Sequence, residues 1–100
     1  MLRTLIISDP ADQDLHAALE WSREHHPAHL DRFTDEVSAT LNMLQETPLR
    51  WALWHRSRVR RCLLPHLPYS FYYRVDEHSV FIDAFLHHRQ NAMKRFPENR

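Results

Sequence analysis

Two alternating runs of apolar residues in the second half of the chain constrain the fold most. They cover about residues 69–76 and 79–87, and the short turn Asp76-Glu77-His78 joins them. A period of two is typical of β-strands, and so short a connection predicts a β-hairpin. Because both strands carry apolar side chains on both faces, we expect them to be interior strands of a sheet.

The alternation also predicts which side chains share a face. In the first strand, one face is predicted to carry Tyr69, Phe71, Tyr73 and Val75, and the other Ser70, Tyr72 and Arg74. In the second strand, the same rule places Val80, Ile82, Ala84 and Leu86 opposite Phe81, Asp83, Phe85 and His87. An unpaired carboxylate on an interior strand is costly, so we expect Asp83 to pair with a nearby arginine.

The rest of the chain predicts two more strands and two helices. Residues 3–8 and 58–64 are expected to be strands, the second rich in arginine. Asp9 and Pro10 are predicted to start a helix that ends near His25-His26, because Pro27 disfavours helical geometry in the residue before it. A second amphipathic helix is expected over residues 28–46, before Thr47-Pro48.

The predicted order is therefore β-α-α-β-β-β, an α+β fold in which a helical hairpin packs on a small antiparallel sheet. The length of 100 residues suits one domain, which we place at residues 1–97. Residues 98–100 are expected to be a polar C-terminal end, and the chain from Lys94 onward reads as a polar tail.

Composition excludes several classes of function. The sequence has no glycine, so a phosphate-binding P-loop or a Rossmann dinucleotide motif cannot be built, and no cofactor is expected. The nine histidines are scattered and the one cysteine, Cys62, lies in a predicted strand, so no metal site is expected. No apolar stretch is long enough to span a membrane, and a lone cysteine fits a reducing cytoplasm, which predicts a cytoplasmic protein without membrane contact.

The net charge of zero conceals an asymmetry between the two halves of the chain. Residues 1–48 carry three basic and nine acidic residues, and residues 49–100 carry ten basic and four acidic residues. The halves therefore have net charges of −6 and +6. This pattern fits either internal charge pairing or a basic surface for an acidic partner or nucleic acid.

Arginine and histidine side chains of the predicted sheet are the main candidates for a site. Arginine makes bidentate contacts with phosphate and carboxylate groups. The candidates for target or phosphate binding are Arg58, Arg60, Arg61, Arg74 and Arg89. His87 and His88, beside Arg89, are the candidates for acid–base catalysis at one sheet edge, since histidine titrates near neutral pH.

Several motifs, in this order, resemble the RelE/ParE superfamily of bacterial type II toxins over about residues 3–97. The first helix contributes Ala11, Asp14, Leu15 and Trp21, and the second contributes Phe33, Val37, Leu41, Leu44 and then Pro48. The strands contribute Arg60-Arg61-Cys62-Leu63-Leu64, Leu67-Pro68-Tyr69, Tyr73-Arg74-Val75 and Phe85-Leu86-His87-His88-Arg89. The resemblance implies a toxin of a toxin–antitoxin system and supports the predicted fold.

The resemblance leaves the activity open between alternatives. ParE-like members, the favoured branch, inhibit DNA gyrase without catalysis, whereas RelE-like members are ribosome-dependent mRNA endoribonucleases that typically use a late tyrosine. This chain has no tyrosine after Tyr73 and a single lysine, Lys94, which favours the gyrase inhibitor. An inactive toxin fold that only binds an antitoxin is the third possibility.

The resemblance also implies a protein partner. A cognate antitoxin, whose C-terminal segment folds on the toxin, is expected to form a hetero-oligomer with this chain. We expect its docking surface to include residues 49–55, with Trp51 and Trp54 as anchors, and the surface of the helical hairpin. The target is expected to be either gyrase or the ribosome with its mRNA.

Overall fold

The computed structural model describes residues 2–55 and 57–97. It confirms the predicted order and adds a short C-terminal helix. The elements are β1 (Thr4–Ile7), α1 (Asp9–His25), α2 (Leu30–Glu46), β2 (Arg60–Leu63), β3 (Tyr69–Val75), β4 (Ser79–His87) and α3 (Ala92–Arg95). The polar end predicted at residues 98–100 lies outside the described residues.

The four strands form one sheet in the order β1-β4-β3-β2, so the hairpin strands β3 and β4 are interior, as predicted. β2 and β3, and β3 and β4, pair antiparallel. The sheet is nevertheless mixed, because β1 lies parallel to β4, with Thr4 opposite Ser79. The predicted purely antiparallel sheet is wrong for this pair, because a four-residue edge strand with three apolar residues does not specify its partner.

A short polar side chain caps the start of α1, and a proline follows the end of each helix. Ser8, rather than the predicted Asp9, caps α1, and its hydroxyl accepts a hydrogen bond from the Ala11 amide at 3.2 Å. Asp9 is already the first helical residue and Pro10 the second. Pro27 and Pro48 each start a 3₁₀ turn, at Pro27–His29 and Pro48–Arg50, directly after a helix.

A β-bulge in β4 changes which side chains face the core. Tyr72 lies opposite Ala84 but Tyr73 lies opposite Ile82, so Asp83 is an extra residue between them. The strict alternation predicted for this strand is therefore wrong beyond Ile82. Val80, Ile82 and Phe85 pack in one core cluster, whereas Ala84 and Leu86 pack in another.

The larger core cluster lies between the helical hairpin and one sheet face. The predicted face of β3 contributes Tyr69, Phe71, Tyr73 and Val75, and the helices contribute Ala11, Ala18, Phe33 and Leu44, as the amphipathic patterns predicted. Cys62 is fully buried in this cluster, and burial raises the pKa of its thiol to about 12. The buried Tyr73 hydroxyl donates a hydrogen bond to the Pro48 carbonyl at 2.6 Å.

Carboxylates fix the turns that a chain without glycine must make. Asp76 Oδ1 accepts from the amides of His78 and Ser79 at 2.9 and 2.7 Å, which closes the β3–β4 turn. Glu36 of α2 accepts from the amides of His66 and Leu67 at 3.0 and 2.9 Å and so holds the β2–β3 connection. Among the described residues, only His55 has a positive φ, at 51°.

The C-terminal segment packs on the molecule, contrary to the expected polar tail. Phe96 stacks on Tyr72, with ring centroids 5.3 Å apart, on the sheet face opposite the helices. Arg95 pairs with Asp14 of α1 at 2.8 Å, and the same Asp14 carboxylate accepts from the Phe85 amide at 3.1 Å. Asp14 therefore joins α1, β4 and α3. It does so beyond the end of β1, where the edge of β4 has no neighbouring strand among the described residues.

Candidate functional site

The pairing of β2 with β3 sends the predicted arginines in different directions. Arg60 lies opposite Tyr73, and its guanidinium donates to the Trp51 carbonyl at 2.6 Å. Arg61 lies opposite Tyr72 on the other sheet face, and Arg58 is exposed before β2 begins. The Arg60 guanidinium therefore holds the connection that precedes β2. Among the described residues, the guanidinium groups of Arg61 and Arg58 donate to no backbone carbonyl.

Arg74 is the arginine that pairs with Asp83, the carboxylate expected to have an arginine partner. Its Nε and Nη2 donate to the two carboxylate oxygens of Asp83 at 2.6 and 3.0 Å, and these hydrogen bonds raise the pKa of Arg74 above its ordinary value. Phe81 lies opposite Arg74, so Asp83, two residues further along β4, is on the same sheet face as Arg74. The charge of Arg74 is therefore compensated within the chain.

The expected His-His-Arg cluster lies at the end of β4, where the His87 and His88 rings face opposite sides of the sheet with their centroids 6.5 Å apart. The His87 ring contacts Tyr69, 5.1 Å away between centroids, on the helix side. His88 instead places Nε2 3.1 Å from the Ser70 hydroxyl on the opposite side. Arg89 is exposed, and its amide donates to His87 Nδ1 at 3.0 Å. Burial, followed by the charges of Arg89 and His88, lowers the pKa of His87.

An open cleft of about 500 Å³ lies between the ends of the helices and the ends of β3 and β4. Trp21 stands at its edge with half of its surface exposed, at 50%, and stacks on His25 at 4.5 Å. We call this space the Trp21 cleft. Its lining is mainly apolar or imidazole: Trp21, Ser22, His26, His29, Arg32, Phe33, Glu36, His66, Leu67, Pro68, Tyr69 and His87.

The aromatic floor of the Trp21 cleft is rigid. Tyr69 stacks on Phe85 with centroids 4.6 Å apart, and Phe33 meets Tyr69 edge-on at 5.9 Å. The sequence analysis did not single out Trp21 as a binding residue. Its position in the sequence could have indicated this role, because Trp21 lies off the apolar stripe of α1. A large aromatic side chain at such a position is exposed rather than packed in the core.

The tryptophans predicted as antitoxin anchors are both half-buried. Trp51 packs against the larger core cluster, and the Arg50 guanidinium lies 5.0 Å from its ring. Trp54 packs against the smaller cluster and meets Tyr72 edge-on at 5.4 Å. Much of each indole is therefore committed to the chain's own core.

A smaller polar pocket of about 180 Å³ lies on the sheet face opposite the helices. We call it the open-face pocket. Its lining residues are Trp54, His55, Arg61, Tyr72, His88, Gln90, Asn91, Ala92 and Met93. The pocket brings together Arg61, which was predicted to bind a target or phosphate, and His88, which was predicted as an acid–base candidate. Tyr72 is a further lining residue that was not predicted.

Neither a three-residue metal site nor a membrane-spanning helix occurs among the described residues. Within residues 2–55 and 57–97, no three histidine, cysteine or carboxylate side chains are arranged to hold a metal ion. No helix in these ranges has the length and apolar character needed to cross a membrane.

Comparison with known proteins identifies the family. The model of the ParE toxin of the type II toxin–antitoxin system parDE matches residues 5–92. A solved structure of the chromosomal ParDE system from P. aeruginosa has the same fold, with a TM-score of 0.72 and 19% identity over 86% of this chain and 96% of that chain. No curated protein matches the sequence significantly. The chain therefore belongs to the ParE toxin family, the toxin component of a type II toxin–antitoxin system whose partner is an antitoxin.

Proposed function

We propose that this ParE-family protein inhibits DNA gyrase and that its antitoxin neutralises it. The family match over residues 5–92 is the observation that carries the proposal. The absence of a tyrosine after Tyr73 supports it against the RelE-like alternative, whose members typically use a late tyrosine.

The target can be identified by inducing the toxin in cells without its antitoxin. Gyrase inhibition predicts growth arrest, loss of negative supercoiling in a reporter plasmid and intact mRNA by primer extension. Codon-positioned mRNA cuts with normal plasmid supercoiling would contradict the proposal and favour the endoribonuclease. Unaffected growth, with folded toxin accumulating to the same level, would favour the inactive antitoxin-binding fold.

We further propose that the antitoxin docks in the Trp21 cleft. A half-exposed tryptophan beside a rigid aromatic floor has the properties of an interface anchor. The exposed half of the Trp21 side chain would be covered by a partner that folds on the toxin. This assignment replaces Trp51 and Trp54, because half-buried core side chains offer less surface to a partner.

The charges around the cleft specify the chemistry of the docking segment. Arg32 and four imidazoles line the cleft. Its one carboxylate, Glu36, is already engaged by the His66 and Leu67 amides and by the His66 ring at 3.0 Å. We therefore infer that the antitoxin contributes an amphipathic segment with an apolar anchor for Trp21 and acidic residues toward Arg32.

A further inference from the structure

The open-face pocket lies apart from the Trp21 cleft and shares no lining residue with it. Three successive strands contribute to it: Arg61 from β2, Tyr72 from β3 and His88 from the end of β4. The half-buried Arg61 stands directly opposite Tyr72 in the sheet register. The pocket is therefore built on sheet positions rather than on mobile loop tips alone.

The positive charge in this pocket has no counter-charge within the described chain. Arg74 and Arg95 each pair with a carboxylate, Asp83 and Asp14 respectively. In the ranges 2–55 and 57–97, no carboxylate lies within 4.0 Å of the Arg61 guanidinium, and none lines the pocket. A partly buried guanidinium without a carboxylate partner is suited to an external anion.

Two further side chains can donate to the same anion. The Tyr72 ring is held between Phe96, stacked at 5.3 Å, and Trp54, edge-on at 5.4 Å, and it lines the pocket beside Arg61. The buried Ser70 hydroxyl lies 3.1 Å from His88 Nε2. When this hydroxyl donates to Nε2, the neutral imidazole carries its proton on Nδ1 and retains an N–H donor.

We propose that Arg61, Tyr72 and His88 form a binding site for a phosphate group. A carboxylate is planar and can be satisfied by one arginine fork, whereas a tetrahedral phosphate offers oxygens in several directions. Arg61, Tyr72 and His88 line one pocket from three neighbouring strands, and this arrangement suits the tetrahedral oxygens of a phosphate. The phosphate can be a free ion or a phosphodiester of a single-stranded nucleic acid, since both present the same oxygens.

NMR titration with inorganic phosphate at constant ionic strength tests the proposal. We expect saturable shifts of the His88 ring and the Trp54 indole N–H, with the His16 ring on α1 unaffected. Arg61→Gln should weaken binding about tenfold or more, as expected for losing a charge-assisted hydrogen bond. Arg23→Gln removes the same charge from exposed helix α1 and should leave the affinity unchanged.

The second arm uses a short oligodeoxynucleotide without a terminal phosphate. Tighter saturable binding of this oligomer than of inorganic phosphate, lost in Arg61→Gln, would assign the site to a phosphodiester. Saturation by inorganic phosphate alone would assign it to the free ion. If Arg61→Gln does not fold, His88→Gln serves as the second variant. Linear shifts with both ligands, or equal affinities for Arg61→Gln and Arg23→Gln, would overturn the proposal.

Discussion

Asp14 is the residue on which three parts of the fold depend. One carboxylate accepts from the Phe85 amide and from Arg95, and its side chain is only 16% exposed. Asp14→Ala leaves the amide and the guanidinium without their acceptor, so we expect a loss of about 2 kcal/mol in the free energy of unfolding. Denaturant unfolding measures this loss.

Asp35→Ala is the matched control for that experiment. Asp35 is exposed in the middle of α2, so its removal should change the free energy of unfolding by less than about 0.5 kcal/mol. Equal effects of the two substitutions would show that Asp14 does not join α1, β4 and α3 as described.

Cys62 gives a second prediction for a single residue. The side chain is fully buried and its pKa is about 12, so almost none of it is thiolate near neutral pH. We expect the native protein not to react with a thiol reagent at pH 8, and the protein unfolded in denaturant to react fully. Stoichiometric labelling of the native protein at the rate of a free thiol would contradict the buried position.

Among the elements, the sequence pattern was sufficient where one local rule decides the outcome. Alternation predicted the strands of the hairpin, and apolar spacing with prolines predicted both helices. The bulge at Asp83 and the parallel pairing of β1 were missed because each depends on a neighbouring strand. The same limit applies to the site: only the strand's orientation in the sheet decides that His87 and His88 face opposite sides.

The junction of the helical hairpin with the sheet carries the prediction on antitoxin binding. Trp21→Ala removes the exposed anchor of the Trp21 cleft, and we expect the dissociation constant for the antitoxin to rise about 30-fold, or about 2 kcal/mol. Isothermal titration calorimetry with the purified antitoxin measures this change, after circular dichroism has shown that the variant is folded.

Leu53→Ala is the control for the anchor. Leu53 is similarly exposed, at 52%, but lies in the connection before β2, outside the cleft. Its substitution should leave the affinity unchanged. Weakening by Leu53→Ala but not by Trp21→Ala would place the antitoxin on the connection that contains Trp51 and Trp54.

For the whole molecule, stability should depend on pH through His87. Burial lowers its pKa below the ordinary 6.5, so the folded protein binds protons less readily than the unfolded chain. Stability should therefore be highest above about pH 6.5 and fall as the pH drops toward the pKa of His87 in the folded state. We expect the urea midpoint to decrease between pH 7.5 and pH 5.5.

Two substitutions separate His87 from the other histidines. His87→Asn should remove part of this pH dependence, whereas His78→Asn, in the exposed β3–β4 turn, should retain it. The same pH dependence in both variants would show that His87 is not responsible.

The charge asymmetry of the sequence also has a structural counterpart at this scale. The acidic half of the chain forms β1 and the helical hairpin, and the basic half supplies β2, β3, β4 and α3. Contacts between the halves, such as Asp14 with Arg95 and Glu36 with His66, use part of the opposite charge. Arg61 is left for an external anion, as proposed above.

Supercoiling of relaxed plasmid by purified DNA gyrase is the direct assay for gyrase inhibition by this protein. The isolated toxin should inhibit supercoiling in a concentration-dependent manner, and toxin mixed with excess antitoxin should not inhibit it. Trp21→Ala toxin should still inhibit, but should need more antitoxin for neutralisation. Full gyrase activity at a large molar excess of folded, antitoxin-free toxin would contradict the account.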